Sequence, residues 1–480
     1  MNKNKGRMQT FNLILGPVLF VISWLGFTDI FGKDGAVAVG TTLWMIVWWS
    51  TVATSVAVTA MVPVIVNAFI PIAPMPSILS QYSSETIVLL FGANLLTLSW
   101  GPTGLGNRLA LGALRVAGTS VRQQMVVWFI VTSLFSALLP NTAVATMFMP
   151  VAVAMLVFLG HGDIAKSDLA PPILLAVCYG STLGGGMTPL GGAMNPMAIA
   201  IIQDYTGQEF LYTEWIFRMV PYVVIVSAFV VAAMLLMPLK IKRIEGTKEY
   251  FKSQYEALGK IKRGEGICLV LFGAALVLIF TRSYYATILP NFTSGLALLF
   301  LGFISFFMKN EDGEPLLTWE YVAKNAMWGL LFLIAGGGAM ASMLTTTGAA
   351  EVVADMVKGM SLEGGIMMML VFTIIAYNLS EFTSQTTSST LCIPLVISVA
   401  LALGLVPTPY IFVTCMAFSG AFLLPTGLRA IAMGYGLQVG DIVKRGSIIY
   451  VVFIAATTLV GYLFMQYWPY FSQLPGMPVQ

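Results

Sequence analysis

The chain has 480 residues, of which 58% are hydrophobic and only 9% are charged, and its formal net charge is +3. A soluble protein of this length needs a largely polar surface, so this composition excludes a soluble globular protein and predicts that lipid is the main solvent. No basic run is interleaved with aromatic residues on a soluble face, so we expect no nucleic-acid partner.

The first half contains a series of apolar segments, and a segment of roughly 20 residues is long enough to cross a bilayer. Residues 1–36 are predicted to form the N-terminal tail and the first membrane helix, and 37–239 a first repeat. The predicted spans lie at 11–31, 37–53, 55–75, 81–100, 170–204 and 214–238. Between them we expect an interfacial amphipathic helix at 104–121 and a hairpin at 122–160.

A polar linker follows at 240–264, and it carries eight Lys or Arg residues against three Glu. By the positive-inside rule this linker and the N-terminal tail are cytoplasmic. The number of crossings between them must therefore be even. Six full crossings fit if 122–160 enters and leaves the membrane on one side as a re-entrant hairpin.

The second half, 265–480, repeats this plan. In order it contains spans near 265–284, 290–308 and 326–345, a short segment at 347–360 in place of the interfacial helix, a second re-entrant hairpin at 364–402, a broken span at 409–437 and a last span at 446–468. Each repeat has an odd number of crossings, so the second copy is predicted to be inverted. We therefore expect an all-α polytopic membrane protein with about 11 transmembrane helices and two re-entrant hairpins in two inverted repeats.

Each predicted hairpin contains a short polar tract inside an apolar segment. In both tracts a Ser stands five residues before an amide, a Thr follows the amide, and a Pro lies nine residues beyond it. These residues are Ser136, Asn141, Thr142 and Pro150 in the first hairpin, and Ser380, Gln385, Thr386 and Pro394 in the second. Lipid cannot form hydrogen bonds with such groups, and a duplicated polar break of this kind indicates the binding site of a secondary transporter.

A second polar break follows each hairpin, at 180–196 and at 419–430. Both are rich in Gly and Pro, which end helices and leave backbone groups free. Free carbonyls together with Ser, Thr and Asn oxygens suit Na⁺, whereas free N–H groups at helix starts suit a carboxylate or sulfate. Kinked helices and close helix packing would account for any single break, but four breaks in matching order favour a binding site.

These hairpin tips, Gly-rich breaks and inverted halves resemble the divalent anion–sodium symporter family of citrate, dicarboxylate and sulfate carriers. The sequence segments that begin at Trp328 (WGLLFLIAGGG) and at Val439 (VGDIVKRG) are also similar to segments of this family. The resemblance covers nearly the whole chain, and it implies an elevator-like motion and a homodimer. It also implies that the polar residues at the two hairpin tips hold the substrate carboxylates and Na⁺.

Carried over residue by residue, the resemblance implies two groups of contacts. The substrate contacts would be Asn141, Thr142, Gln385, Thr386, Thr426 and Arg429. The Na⁺ contacts would be Ser136, Asn141 and the Gly191 and Gly192 carbonyls at a first site, and Ser380 and Thr383 at a second.

The chain departs from the family pattern at three positions. Pro140 replaces a Ser, Gln385 replaces an Asn, and Arg429 stands in a shortened second break where a neutral Asn is expected. A charged residue at membrane depth is costly and usually functional. Arg429 could replace the second Na⁺, hold a substrate carboxylate, or pair internally. Glu381, one helical turn before Gln385, could pair with Arg429 or carry a coupling proton.

The leading hypothesis is a secondary active transporter of small di- or tricarboxylates across the inner membrane, with Na⁺ coupling at the first site. Exchange of one dicarboxylate for another is the alternative, because a fixed Arg429 charge could prevent the empty carrier from reorienting. An ion channel or an intramembrane enzyme is the hypothesis of another class. A channel needs a continuous polar path, whereas the polar groups of this chain cluster at one level. An intramembrane protease needs a His with a Ser, paired Asp residues or a metal site, and the only His, His161, is expected at a membrane edge.

Overall fold

A computed structural model describes residues 3–349, 352 and 364–473. Within these residues the secondary structure is helical and no β-strand is present. Ten of the described helical segments are long and apolar enough to cross a membrane, and several shorter apolar helices accompany them. The predicted all-α polytopic membrane protein is confirmed.

The first half and the linker contain fourteen α-helices among the described residues. They are α1 Lys3–Gly26, α2 Thr28–Thr51, α3 Val56–Thr59, α4 Val62–Phe69, α5 Met75–Ser80, α6 Glu85–Leu98, α7 Trp100–Thr103, α8 Leu105–Leu114, α9 Val121–Leu138, α10 Asn141–Phe158, α11 Ala170–Gly184, α12 Met194–Thr206, α13 Tyr212–Leu236 and α14 Thr247–Ala257.

The second half follows the linker with eleven described α-helices. They are α15 Arg263–Phe280, α16 Arg282–Tyr285, α17 Ser294–Ile304, α18 Trp319–Asn325, α19 Trp328–Thr346, α20 Ile366–Phe382, α21 Gln385–Ala402, α22 Thr408–Phe418, α23 Leu428–Gly434, α24 Val439–Tyr467 and α25 Pro469–Ser472.

The order of helix pairs and breaks is the same in the two halves. The helices α9 and α10 form a hairpin, and α20 and α21 form another. Each hairpin precedes a pair of short helices separated by a non-helical stretch, α11 and α12 in the first half and α22 and α23 in the second. The inverted relation of the halves stays a prediction, and most of the predicted 347–360 segment lies outside the described residues.

Two predicted elements differ from the structure. The span at 55–75 is divided into α3 and α4, and Pro63 lies in the first turn of α4, where a missing N–H is tolerated. The predicted helix at 104–121 is the shorter α8, Leu105–Leu114, whose Arg108 is buried and donates to Glu265 and to the carbonyl of Gly259.

The helices around the two breaks pack across the halves. The helix after the first break, α12, contacts α21 and α22, and the helix after the second break, α23, contacts α10 and α11. The helices α9 and α11 are closely packed, since a Cβ on Gly184 would lie 2.2 Å from the carbonyl oxygen of Ser133. This packing brings both hairpin tips and both breaks to one place.

Candidate functional site

A cavity of about 360 Å³ lies where the hairpin tips and the breaks meet. Four helices begin at its wall: α10 at Asn141, α12 at Met194, α21 at Gln385 and α23 at Leu428. All six predicted substrate contacts line this cavity: Asn141, Thr142, Gln385, Thr386, Thr426 and Arg429. The structure thus brings together residues that the sequence separates by almost 290 positions.

The helix N-termini around the cavity favour an anion. Among the described residues that line it, none is acidic, and Arg429, the only one with a charge, is ion-paired with Glu381 behind the wall. Helix N-termini present unpaired N–H groups and carry the positive end of the helix dipole. No described side chain caps the start of α10, and because the N–H of Asn141 is bonded to Gly191, the amides that follow it, of Thr142 and Ala143, are the ones available to a ligand.

The two hairpin tips touch each other through their amide side chains. The Asn141 Nδ2 donates to the Gln385 Oε1 at 2.8 Å. The backbone N–H of Asn141 donates to the Gly191 carbonyl at 2.9 Å, which ties the first tip to the first break. Asn141 therefore connects both hairpins and one break, and its position supports its predicted double role.

The first break contains buried oxygen atoms that have no hydrogen-bond partner among the described residues. Ser136 donates to the carbonyl of Ser181 at 2.6 Å, and the Gly192 carbonyl accepts the N–H of Asn195 at 3.0 Å. The Ser181 Oγ and the Asn195 Oδ1 are buried and have no hydrogen-bond partner among the described residues. Because Na⁺ is a hard cation that takes oxygen ligands, this oxygen-rich loop suits it.

Glycine is required where the first break approaches the hairpin. A Cβ on Gly191 would lie 2.2 Å from the carbonyl oxygen of Ser136 and 2.8 Å from that of Gly185. Backbone oxygens from the hairpin and from the loop therefore converge on this position. The predicted first Na⁺ contacts, Ser136, Asn141, Gly191 and Gly192, lie together around it.

The two predicted Na⁺ contacts of the second hairpin are hydrogen-bonded locally. Ser380 donates to the carbonyl of Phe418 at 2.9 Å. Thr383 donates to the carbonyl of Leu379 at 2.8 Å and shares a hydrogen bond of 2.8 Å with Ser388. Both predicted second-site residues line the cavity, but their oxygens take part in local hydrogen bonds.

The second break is held by a buried ion pair between Arg429 and Glu381. The Arg429 Nη2 lies 2.9 Å from the Glu381 Oε2, and the two side chains are 1% and 2% exposed. The Glu381 carboxylate also accepts the Tyr377 hydroxyl at 2.6 Å and the backbone N–H of Leu423 at 2.7 Å. The sequence left several roles open for Arg429 and Glu381, and in the structure the two residues form an ion pair with each other.

The guanidinium of Arg429 occupies oxygen atoms that a cation would otherwise use. Its Nε donates to the Leu424 carbonyl, and its Nη2 also donates to the Thr426 Oγ1 at 3.0 Å. Its Nη1 forms no hydrogen bond with a described residue. The backbone before α23 bends at Gly427, whose φ of 53° favours glycine.

Three polar residues of this region were not among the predicted site residues. Asn94 lines the cavity from α6 and accepts the N–H of Met327 at 3.2 Å. Ser181 and Asn195 carry the unpaired oxygens of the first break. The signal was present for each, since an Asn or Ser inside an apolar membrane segment needs a partner.

A cavity lined by helix N-termini in the middle of apolar helices defines the class of protein, a membrane transporter. Residues 9–473 match the family described as the sodium:sulfate symporter transmembrane region. This match covers most of the chain, so the protein belongs to that family. It is a transporter and not an enzyme.

Curated relatives agree with this family. The chain is 27% identical over 462 residues to a protein of Staphylococcus saprophyticus named sodium-dependent dicarboxylate transporter SdcS, with 93% of this chain and 89% of the relative covered. It is 26% identical over 447 residues to the protein of the same name in Staphylococcus aureus strain NCTC 8325, with coverage of 89% and 85%.

Two solved structures share the fold. The YdaH transporter of Alcanivorax borkumensis has a TM-score of 0.53 at 12% identity, with 82% of this chain and 88% of that chain covered. MtrF of Neisseria gonorrhoeae, described as an antimetabolite efflux pump, has a TM-score of 0.55 at 12% identity, with coverage of 81% and 83%. At this identity the likeness concerns the fold alone.

Proposed function

We propose that this protein is a Na⁺-coupled secondary carrier of small dicarboxylates, and of tricarboxylates of similar size, in the cell inner membrane. The observation that carries the proposal is the convergence of both hairpin tips and four helix N-termini on one cavity without acidic lining residues. The names of the two staphylococcal relatives support the substrate class and the Na⁺ dependence.

The substrate is held between the hairpin tips. The hydroxyl and backbone N–H groups of Thr142 and Thr386, in the first turns of α10 and α21, supply donors to the carboxylates. Arg429 adds a guanidinium donor through its free Nη1. Asn141 and Gln385 pair with each other in the structure, and they exchange this hydrogen bond for bonds to the substrate when it enters.

One Na⁺ binds at the first break through the oxygens of Ser136, Asn141, Gly191 and Gly192, with Ser181 and Asn195 completing the ligand set. Positive charge there offsets part of the substrate's charge, which couples the two ligands. The cavity then opens to either side as the hairpins move against the other helices, as in an elevator. The N-terminus is cytoplasmic, and the protein works as a homodimer in the bilayer.

Dicarboxylate exchange is the second candidate, and one observation favours it. The Arg429 guanidinium is a fixed cation that already holds the Leu424 carbonyl and the Thr426 hydroxyl, groups that would otherwise be free to bind a second Na⁺. In an exchanger this internal cation takes the place of a coupling ion. The Na⁺ site at the first break is compatible with either mode.

Uptake of labelled succinate and citrate into proteoliposomes tests the function and separates the two modes. Uptake into empty vesicles driven by an inward Na⁺ gradient is the result for a symporter. Uptake only into vesicles preloaded with dicarboxylate is the result for an exchanger. If neither anion enters under either condition, the dicarboxylate proposal is wrong, and sulfate is the next anion to test.

A further inference from the structure

A second, much smaller cavity lies away from the hairpin tips, between α6, α12 and α17. Its volume is about 20 Å³, enough for about one water-sized ligand. Glu85 and Thr86 of α6, Ser294 of α17, and Pro196 and Gln203 of α12 line it. None of these residues takes part in the candidate site described above.

The cavity contains a carboxylate whose charge is not balanced locally. Glu85 forms no ion pair with a described residue, and its charged neighbours are Glu209 and Arg282. Arg282 is already paired with Glu209, because its Nη2 lies 3.0 Å from Oε2 and its Nε 3.1 Å from Oε1. With both carboxylates ionised, Glu85, Glu209 and Arg282 sum to one negative charge, which lies at the first turn of α6. A partly buried charge of this kind needs a counter-ion or a proton.

Hydroxyl groups next to Glu85 supply further oxygen ligands. Ser294 is 5% exposed and lines the cavity, and its Oγ has no hydrogen-bond partner among the described residues. Thr86 is 6% exposed and lines the same cavity. The hydroxyl of Thr293, next to Ser294 in the chain, is also buried without a hydrogen-bond partner among the described residues. A carboxylate with several hydroxyls is a ligand set for a hard cation.

We propose that this small cavity binds one monovalent cation, Na⁺, through the Glu85 carboxylate and the Ser294 hydroxyl. The single uncompensated charge matches a monovalent ion, and the volume admits one ion. The choice of Na⁺ among monovalent cations rests on the proposed Na⁺ coupling.

The position of the cavity gives this ion a role in coupling. The helix α12 begins beside Gly192, at the first break, and provides Pro196 and Gln203 to the cavity wall. The opposite wall belongs to α6 and α17, which pack against each other. A cation bound by Glu85 and Ser294 therefore joins α6 to α17, and it stabilises the wall against which α12 packs.

Equilibrium binding of ²²Na⁺ to the purified full-length protein tests the proposal. We expect Glu85→Gln to remove one Na⁺ from the bound total, because the charge that balances the ion is lost. Ser294→Ala removes a neutral ligand and should weaken Na⁺ binding at this site about tenfold. The matched control is Glu320→Gln, since Glu320 is exposed on α18 and forms no ion pair with a described residue.

Unchanged Na⁺ stoichiometry and affinity in both variants would overturn the proposal. So would unchanged Na⁺ binding together with an altered pH dependence of uptake in Glu85→Gln, because the cavity would then hold a proton. Size-exclusion chromatography shows whether each variant is folded, and Ser294→Ala decides the question if Glu85→Gln is not. If Glu85→Gln binds one Na⁺ fewer but the unchanged protein transports no dicarboxylate, the cation site at Glu85 stands and the proposed function is wrong.

Discussion

Removal of Arg429 should destabilise the fold far more than removal of a surface charge. The change Arg429→Gln leaves the Glu381 carboxylate buried at 2% exposure without its cation. Breaking a buried ion pair from one side costs about 3–5 kcal/mol. Glu381 keeps the Tyr377 hydroxyl and the backbone N–H groups of Phe422 and Leu423, so we expect the lower end, about 3 kcal/mol.

The free energy of unfolding, measured by SDS titration in mixed micelles, checks this magnitude. The control is Lys166→Gln, whose pair with Asp163 is exposed and worth about 0–1 kcal/mol. The double variant with Glu381→Gln removes both charges, so its loss should be smaller than the sum of the single losses by about 1–3 kcal/mol. Additive losses, or a loss for Arg429→Gln no larger than the control's, would refute the reasoning.

Three further changes test the binding site through uptake by proteoliposomes. Asn141→Ala should nearly abolish transport, because Asn141 joins both hairpin tips and the first break. The control Asn325→Ala should leave transport unchanged, because Asn325 is exposed, and normal transport by folded Asn141→Ala would overturn the site assignment. Gly191→Ala places a Cβ 2.2 Å from a backbone carbonyl oxygen of α9, so it should weaken the activation of transport by Na⁺ at least tenfold, or about 1.4 kcal/mol. The control Gly266→Ala should leave Na⁺ activation unchanged, because no atom lies within 4 Å of its added Cβ. Arg429→Asn should increase Na⁺ dependence if Arg429 replaces an ion and should raise the substrate KM alone if it binds substrate; no change in either would contradict both roles.

The meeting of the hairpin tips could be predicted from the sequence. Asn141 and Gln385 stand in polar tracts that lipid cannot satisfy, and the duplication of such a tract in an apolar chain indicates one shared binding site. Their direct contact at 2.8 Å follows from the packing of the two halves. The pairing of Glu381 with Arg429 was one of several alternatives, and only the bend of the second break brings the two together.

Other features depend on contacts that residue spacing does not reveal. The helix at 104–121, which contains Arg108, was predicted to lie at the membrane interface. In the structure Arg108 donates to Glu265 and to carbonyls around Gly259, more than 150 positions away. The pairing of the second-hairpin hydroxyls was also hidden, since Thr383 bonds to Ser388 across the turn between α20 and α21.

Cryo-electron microscopy of the purified protein with succinate and Na⁺ tests the central claim most directly. The account predicts density for succinate between the hairpin tips, with its carboxylates within hydrogen-bonding distance of Asn141, Thr142 and Gln385, and a Na⁺ beside Gly191. Succinate bound elsewhere, with the Asn141–Gln385 hydrogen bond intact, would contradict it.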